Sequence, residues 1–172
     1  MFSDRLRPYI FLQKQINLKS HLALLILTAT VFFSCDTIDL YEKITAIPGH
    51  EWKSDFKPKF NFIIKDSTSV YDVFVVLRHN EKYEFNNIWI SLTTQRKGDT
   101  SETGQYELPL ANNEGWMGSA MDDLYEHRIR ITPADGIRLR TGEYFFTIGH
   151  IMRKNPLENV MNIGLRVEKR AQ

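Results

Sequence analysis

The sequence predicts an all-β fold, an antiparallel sandwich of immunoglobulin-like or jelly-roll-like type, standing behind an N-terminal lipoprotein signal peptide. Three observations predict it. Turn residues recur roughly every 8–14 positions along the second two-thirds of the chain, which is the spacing of short sandwich strands. Aromatic residues make up 12% of the chain, with 11 Phe and 7 Tyr, a composition that suits pleated sheets. Finally, no stretch after residue 35 sustains a 3.6-residue apolar period long enough for a major helix.

In chain order, the first element is a leader. Arg5, Arg7, Lys14 and Lys19 precede Leu22–Phe33, a 12-residue run without charge. Twelve helical residues rise only about 18 Å, short of the ~30 Å hydrocarbon core of a bilayer, so the run reads as a secretory signal rather than a spanning helix. The single cysteine of the chain, Cys35, follows Phe32-Phe33-Ser34. That placement resembles a bacterial lipoprotein signal, in which a diacylglycerol is joined to the cysteine sulfur and cleavage leaves that cysteine at the new N-terminus. The boundary departs from the usual Leu-Ala-Gly/Ser box, and an ordinary secreted chain with a free thiol near its start is the alternative. The organisation read from these features is a signal peptide over residues 1–34, a lipidated N-terminus and tether over 35–48, and one sandwich domain over 49–172. With one cysteine, neither an intrachain disulfide nor a multi-cysteine metal site can form.

The strands follow. Lys59–Ile64 alternates Phe60, Phe62 and Ile64 on one face. Ser67–Ser69 reads as a turn. Tyr71–His79 is apolar on both faces from Val73 to Leu77, as a central strand buried on both sides would be. Ile88–Gln95 alternates again. Gly98–Thr103 is a polar turn ahead of a strand over Gln105–Leu110, and Asn112–Gly118 is loop-like. Arg128–Thr132 is a short strand closed by Pro133, with a turn at Ala134–Gly136. Glu143–Met152 is the clearest late strand and is broken by Asn155-Pro156. Asn162–Glu168 closes the domain with Ile163, Leu165 and Val167 on one face. Ser119–Leu124 and Pro156–Met161 each have room for a single helical turn.

Charge and motifs exclude more than they assign. Lys and Arg number 22 against 21 Asp and Glu, a net of +1, which gives none of the basic excess of an electrostatic nucleic-acid binder. From residue 35 onward 18 basic side chains face 20 acidic ones, a net of −2, so membrane attachment would fall to acyl chains rather than to bulk charge. His50, His79, His127 and His150 show no metal-binding spacing. The densest cluster of titratable groups is Asp122, Asp123, Glu126 and His127 in the segment MDDLYEH. Carboxylates beside an imidazole suit metal binding or acid–base chemistry, but a solvated acidic loop, or a helix start with Asp in its first turn, is the favoured reading. Neither a serine-nucleophile elbow nor a phosphate loop is present, so no catalytic, cofactor-binding or metal residue is assigned. Trp52, Trp89 and Trp116 could form a sugar-stacking platform, but such residues more often fill the core or cap its open ends, and that reading is favoured for each.

The order of segments resembles the GldH family of gliding-motility lipoproteins. Cys35 comes first, then Tyr41, Ile47-Pro48 and Trp52. KFNFIIKD from Lys59, YDVFVVLRH from Tyr71, YEFNNIWI from Tyr83 and GWMGSAMDDLYEHRI from Gly115 follow. The chain closes with GEYFFTIGHIMRKNPLENVMNIGLRVEK from Gly142, in which Met152-Arg153, Asn155-Pro156-Leu157 and Ile163-Gly164-Leu165 have no generic reason to occur together. The resemblance implies a non-enzymatic, membrane-anchored lipoprotein of the bacterial cell envelope, with the outer membrane favoured over the inner. It implies an accessory or scaffold role in gliding motility, with an association to type IX secretion. Its partners would be the membrane, through the covalent lipid on Cys35, and other envelope proteins of that apparatus. It implies no cofactor, no nucleic acid and no small-molecule substrate. The alternative of another class is a surface glycan-binding lipoprotein with the same sandwich; it needs two or more coplanar exposed aromatics on one face. A hydrolase would need a pocket joining His127 or His50 to carboxylates.

Overall fold

A computed structural model describes residues 40–170. The signal segment and Cys35 lie outside the described residues. Fourteen strands run through the described residues: β1 (Leu40–Ala46), β2 (Glu51–Trp52), β3 (Lys59–Ile64), β4 (Val70–Asn80), β5 (Asn87–Arg96), β6 (Glu102–Pro109), β7 (Ala111–Asn112), β8 (Gly115–Trp116), β9 (Ser119–Met121), β10 (Leu124–Arg130), β11 (Ile137–Arg138), β12 (Gly142–His150), β13 (Leu157–Glu158) and β14 (Val160–Lys169). The larger sheet has the order β1-β14-β4-β10-β9, with β11 added to β4, and the smaller has the order β3-β12-β5-β6. Every pairing is antiparallel. This is the expected antiparallel sandwich.

The core between the sheets follows from period-two alternation. Phe60, Phe62 and Ile64 of β3, Tyr144, Phe146 and Ile148 of β12, and Ile88, Ile90 and Leu92 of β5 face Val73, Val75 and Leu77 of β4 and Ile163, Leu165 and Val167 of β14. At ~25 cal/mol per Å² of apolar surface removed from water, packing of this kind is the main stabilising term. β4 is buried on both faces, as its sequence predicts. Val76 points away from the core and is nonetheless fully buried, flanked by Gly164 on one side and Arg128 on the other. Gly164 has a steric purpose: a Cβ there would lie 2.9 Å from Ile44 Cγ1 and 2.9 Å from the Lys43 carbonyl oxygen. Its missing side chain lets Ile44 of the neighbouring strand close over the sheet.

The outer face of the larger sheet neutralises itself. Arg78 meets Glu126 at 2.6 Å, Arg166 meets Glu42 at 2.6 Å and Glu168 at 2.7 Å, and Arg170 meets Asp72 at 2.7 Å. The smaller sheet instead turns out Ser91, Thr93, Gln95, Thr103, Gln105, Phe145 and Thr147, with exposed Ile63 and Trp89. The two outer faces therefore differ in kind.

Three expectations are corrected. The segment read as a tether up to residue 48 contains β1, paired with β14 from Leu40 to Ala46. It is an edge strand whose core-side set contains Lys43 and whose outer set contains Ile44, so its polarity does not alternate cleanly. The helical turns allowed at Ser119–Leu124 and Pro156–Met161 are strand and turn instead. The strand expected from Arg128 begins at Leu124, which brings the acidic segment into the sheet.

Candidate functional site

MDDLYEH is a hairpin. Met121 pairs with Leu124, leaving Asp122 and Asp123 as a two-residue turn. Asp122 has φ 54°, a left-handed conformation that aspartate tolerates better than most residues. Beyond the turn, neighbours on a strand point to opposite faces. Glu126 turns outward to Arg78 and His127 turns inward, 2% exposed. The four residues that the sequence places together are thus divided among a turn and two faces. They do not form one site.

His127 meets His79 instead. The cross-strand register pairs His79 with Tyr125 and His127 with Leu77, which makes the two histidines diagonal neighbours on the inner face of the larger sheet. Their Nε2 atoms are 2.8 Å apart and their rings are nearly parallel, at 13°. His79 Nδ1 lies 2.8 Å from the Asn80 carbonyl oxygen. That oxygen can only accept, so Nδ1 carries the proton of His79; His79 Nε2 then accepts, and His127 Nε2 donates. The remaining lone pair, on His127 Nδ1, faces Gly118, where a Cβ would sit 3.1 Å from it. Rings of Trp116, Tyr83 and Tyr125 surround His79 at centroid distances of 4.4, 5.1 and 5.6 Å. Burial pushes the His127 imidazole down to about 4, and the neighbouring His79 adds to it. Burial likewise lowers His79. This is a neutral pair sharing one proton inside an aromatic cage. None of the carboxylates of MDDLYEH orients it, and it presents no nucleophile.

The other histidines make no site either. His50 is exposed on the turn Pro48–His50, with φ 58°. His150 is 2% exposed, its ring meets Trp52 edge-on at 5.3 Å, and burial lowers its pKa against an opposing hydrogen bond with the Trp52 backbone. Among the described residues, no group of three or more His, Cys, Asp or Glu is placed to hold a metal ion.

The tryptophans separate. Trp52 is fully buried, its Nε1–H donating to the Phe56 carbonyl at 2.8 Å. Trp116 belongs to the histidine cage. Trp89 alone is exposed, at 38%, so the coplanar platform required by the glycan-binding alternative is not built from them. Trp89 instead forms one wall of a groove of about 520 Å³ shared with Phe85, Asn87 and the run Ile151–Lys154. Two hydrogen bonds tie Trp89 to the Ile151–Met152 wall. Ile151 N–H donates to the Trp89 carbonyl at 2.9 Å, and Trp89 N–H donates to Met152 Sδ at 3.2 Å. Lys154 is held by Glu84 at 2.8 Å and Glu158 at 3.3 Å, while Arg153 is exposed. Sequence reasoning did not assemble this groove. Its one signal was the Met152–Leu157 segment, whose composition lacked a generic explanation.

Comparison with known proteins places these features. Residues 39–167 match the model of the GldH lipoprotein family. The chain is 30% identical over 154 residues to the gliding motility lipoprotein GldH homolog of Christiangramia forsetii, covering 84% of this chain and 92% of that relative. It is 26% identical over 155 residues to the gliding motility lipoprotein GldH of Flavobacterium johnsoniae, covering 86% of this chain and 95% of the relative. Among solved structures, a carbohydrate-binding module specific for non-crystalline cellulose aligns with a TM-score of 0.42 and 12% identity, over 76% of this chain and 73% of the module. A likeness at that level bears on neither ligand nor mechanism.

Proposed function

This chain belongs to the GldH lipoprotein family, and on that footing we propose that it is a lipid-anchored, non-enzymatic accessory component of the gliding-motility machinery, associated with type IX secretion. The observation that carries the reading is the family match over residues 39–167, which spans nearly all of the described fold. Cys35 stands four positions ahead of it, and we assign it as the lipidated residue. Two or more acyl chains give stable attachment at ~0.8 kcal/mol per buried CH₂ without any spanning helix. The non-enzymatic part rests on the division of the acidic cluster and the closed histidine pair described above. The partners on this reading are the membrane, through Cys35, and other envelope proteins of the apparatus.

Deletion of the gene in its own host, scored by colony spreading or, in a non-motile host, by secretion of type IX cargo, tests the reading. Wild type should restore the phenotype. Cys35→Ala should not, and metabolic labelling with a fatty-acid analogue should mark only the wild type. Unchanged spreading and secretion in the deletion strain, or retained labelling of Cys35→Ala, would contradict it.

A further inference from the structure

We propose that the Trp89 groove docks an extended segment of a partner envelope protein in which a bulky apolar side chain stands beside a carboxylate. This rests on the reading of the chain as a binding protein and names the surface that does the binding. Phe85, Trp89, Ile151 and Met152 make the groove apolar, and Asn87, Arg153 and Lys154 complete its lining, so it holds two cations and no carboxylate. Glu84 and Glu158 already engage Lys154. Arg153 is exposed and forms no ion pair among the described residues. It is the charge that a ligand is left to meet.

Three features choose a protein segment over a sugar. Trp, Met and Arg are the residue types enriched at protein interfaces, and a Trp–Arg pair at a groove is a typical energetic anchor. The lining is mainly apolar, with Phe85, Trp89, Ile151 and Met152 against three polar side chains, whereas a sugar's ring of hydroxyls calls for a more polar surround. Ile151 and Met152 offer apolar shape and no hydrogen bonds. The groove is also pre-formed, since the Ile151–Trp89 and Trp89–Met152 bonds fix both walls, and a pre-formed wall lowers the ordering cost of binding.

The chain has three tryptophans, so 5-fluorotryptophan labelling of the full-length lipoprotein in detergent micelles gives one ¹⁹F resonance for each. Trp89→Phe assigns the groove signal. The probes are a blocked pentapeptide with Phe followed by two Asp, the same peptide with two Lys, and cellohexaose, each taken to millimolar concentration. The acidic peptide should move the Trp89 resonance and leave those of Trp52 and Trp116 in place. Arg153→Glu should weaken that binding about 10-fold and favour the lysine peptide. No shift with the acidic peptide, an equal shift with the lysine peptide, or a shift with cellohexaose alone would overturn the proposal. The titration needs no motile cell, so its failure is separate from failed complementation of spreading, which would count against the broader reading.

Discussion

Lowering the pH should destabilise this domain through its buried histidines before Asp66 and Asp99 lose their contributions. His127 takes a proton only near pH 4 in the fold, against 6.5 for an ordinary histidine. The folded-state value is the depressed one, so between those limits the unfolded chain binds more protons than the folded chain, and stability falls as pH falls. Above 6.5 both states are neutral and the group contributes nothing. Each pH unit across the gap is worth about 1.4 kcal/mol, so completing the descent costs the fold about 3 kcal/mol. That is a large part of a typical 5–15 kcal/mol stability. His79 and His150 are lowered in the same direction by burial and steepen the slope. Asp66, held down first by its Ser69 hydroxyl bond, and Asp99, held down first by Arg96, lose their contributions only around and below 3.8. Urea unfolding at steps between about pH 7 and pH 4.5 measures the effect. The control is His127→Gln, whose amide N–H can donate to His79 Nε2 and does not titrate. The wild type should lose stability over this range and His127→Gln should lose clearly less. A flat wild-type profile, or an undiminished slope in His127→Gln, would refute the buried neutral pair.

Two further outcomes are expected from the packing. Val75→Asp should not fold, because Val75 is fully buried in the central strand and an unpaired buried carboxylate costs several kcal/mol; unchanged thermal unfolding would contradict the core assignment. Gly164→Ala should lose about 1–3 kcal/mol, because its Cβ would press on the Lys43 carbonyl and Ile44; an unaltered melting temperature would deny the close packing of β1 on β14.

What the sequence disclosed depended on how far a strand's two faces differ. KFNFII is legible because its three core residues alternate with Lys59, Asn61 and the exposed Ile63, and Val73–Leu77 because burial on both faces leaves an unbroken apolar run. β1 was hidden because an edge strand tolerates Lys43 on its inner side. Within MDDLYEH, linear proximity misled: period-two geometry sends Glu126 and His127 to opposite faces, and the Asp pair belongs to the turn. The meeting of His79 with His127 depends on the β4–β10 register, and that of Trp89 with Ile151 and Met152 on the pairing of β5 with β12. Contacts across roughly 50–60 residues of sequence leave no local pattern. The family resemblance rests instead on whole segments and does not depend on where any one side chain points.

The central claim is that this lipoprotein works by binding rather than by catalysis. Its most direct test is complementation of the deletion strain by Asp122→Ala, Asp123→Ala and His127→Gln, each checked for normal folding and abundance; the glutamine keeps a donor to His79 while removing the base. A binding interface spreads its energy over several anchors, so each variant should restore spreading or secretion nearly to the wild-type level. Loss of a general base or metal ligand commonly lowers a rate by ~10²-fold or more; complete failure of any one of these variants, with folding and abundance intact, would contradict the account and point to a catalytic or metal site.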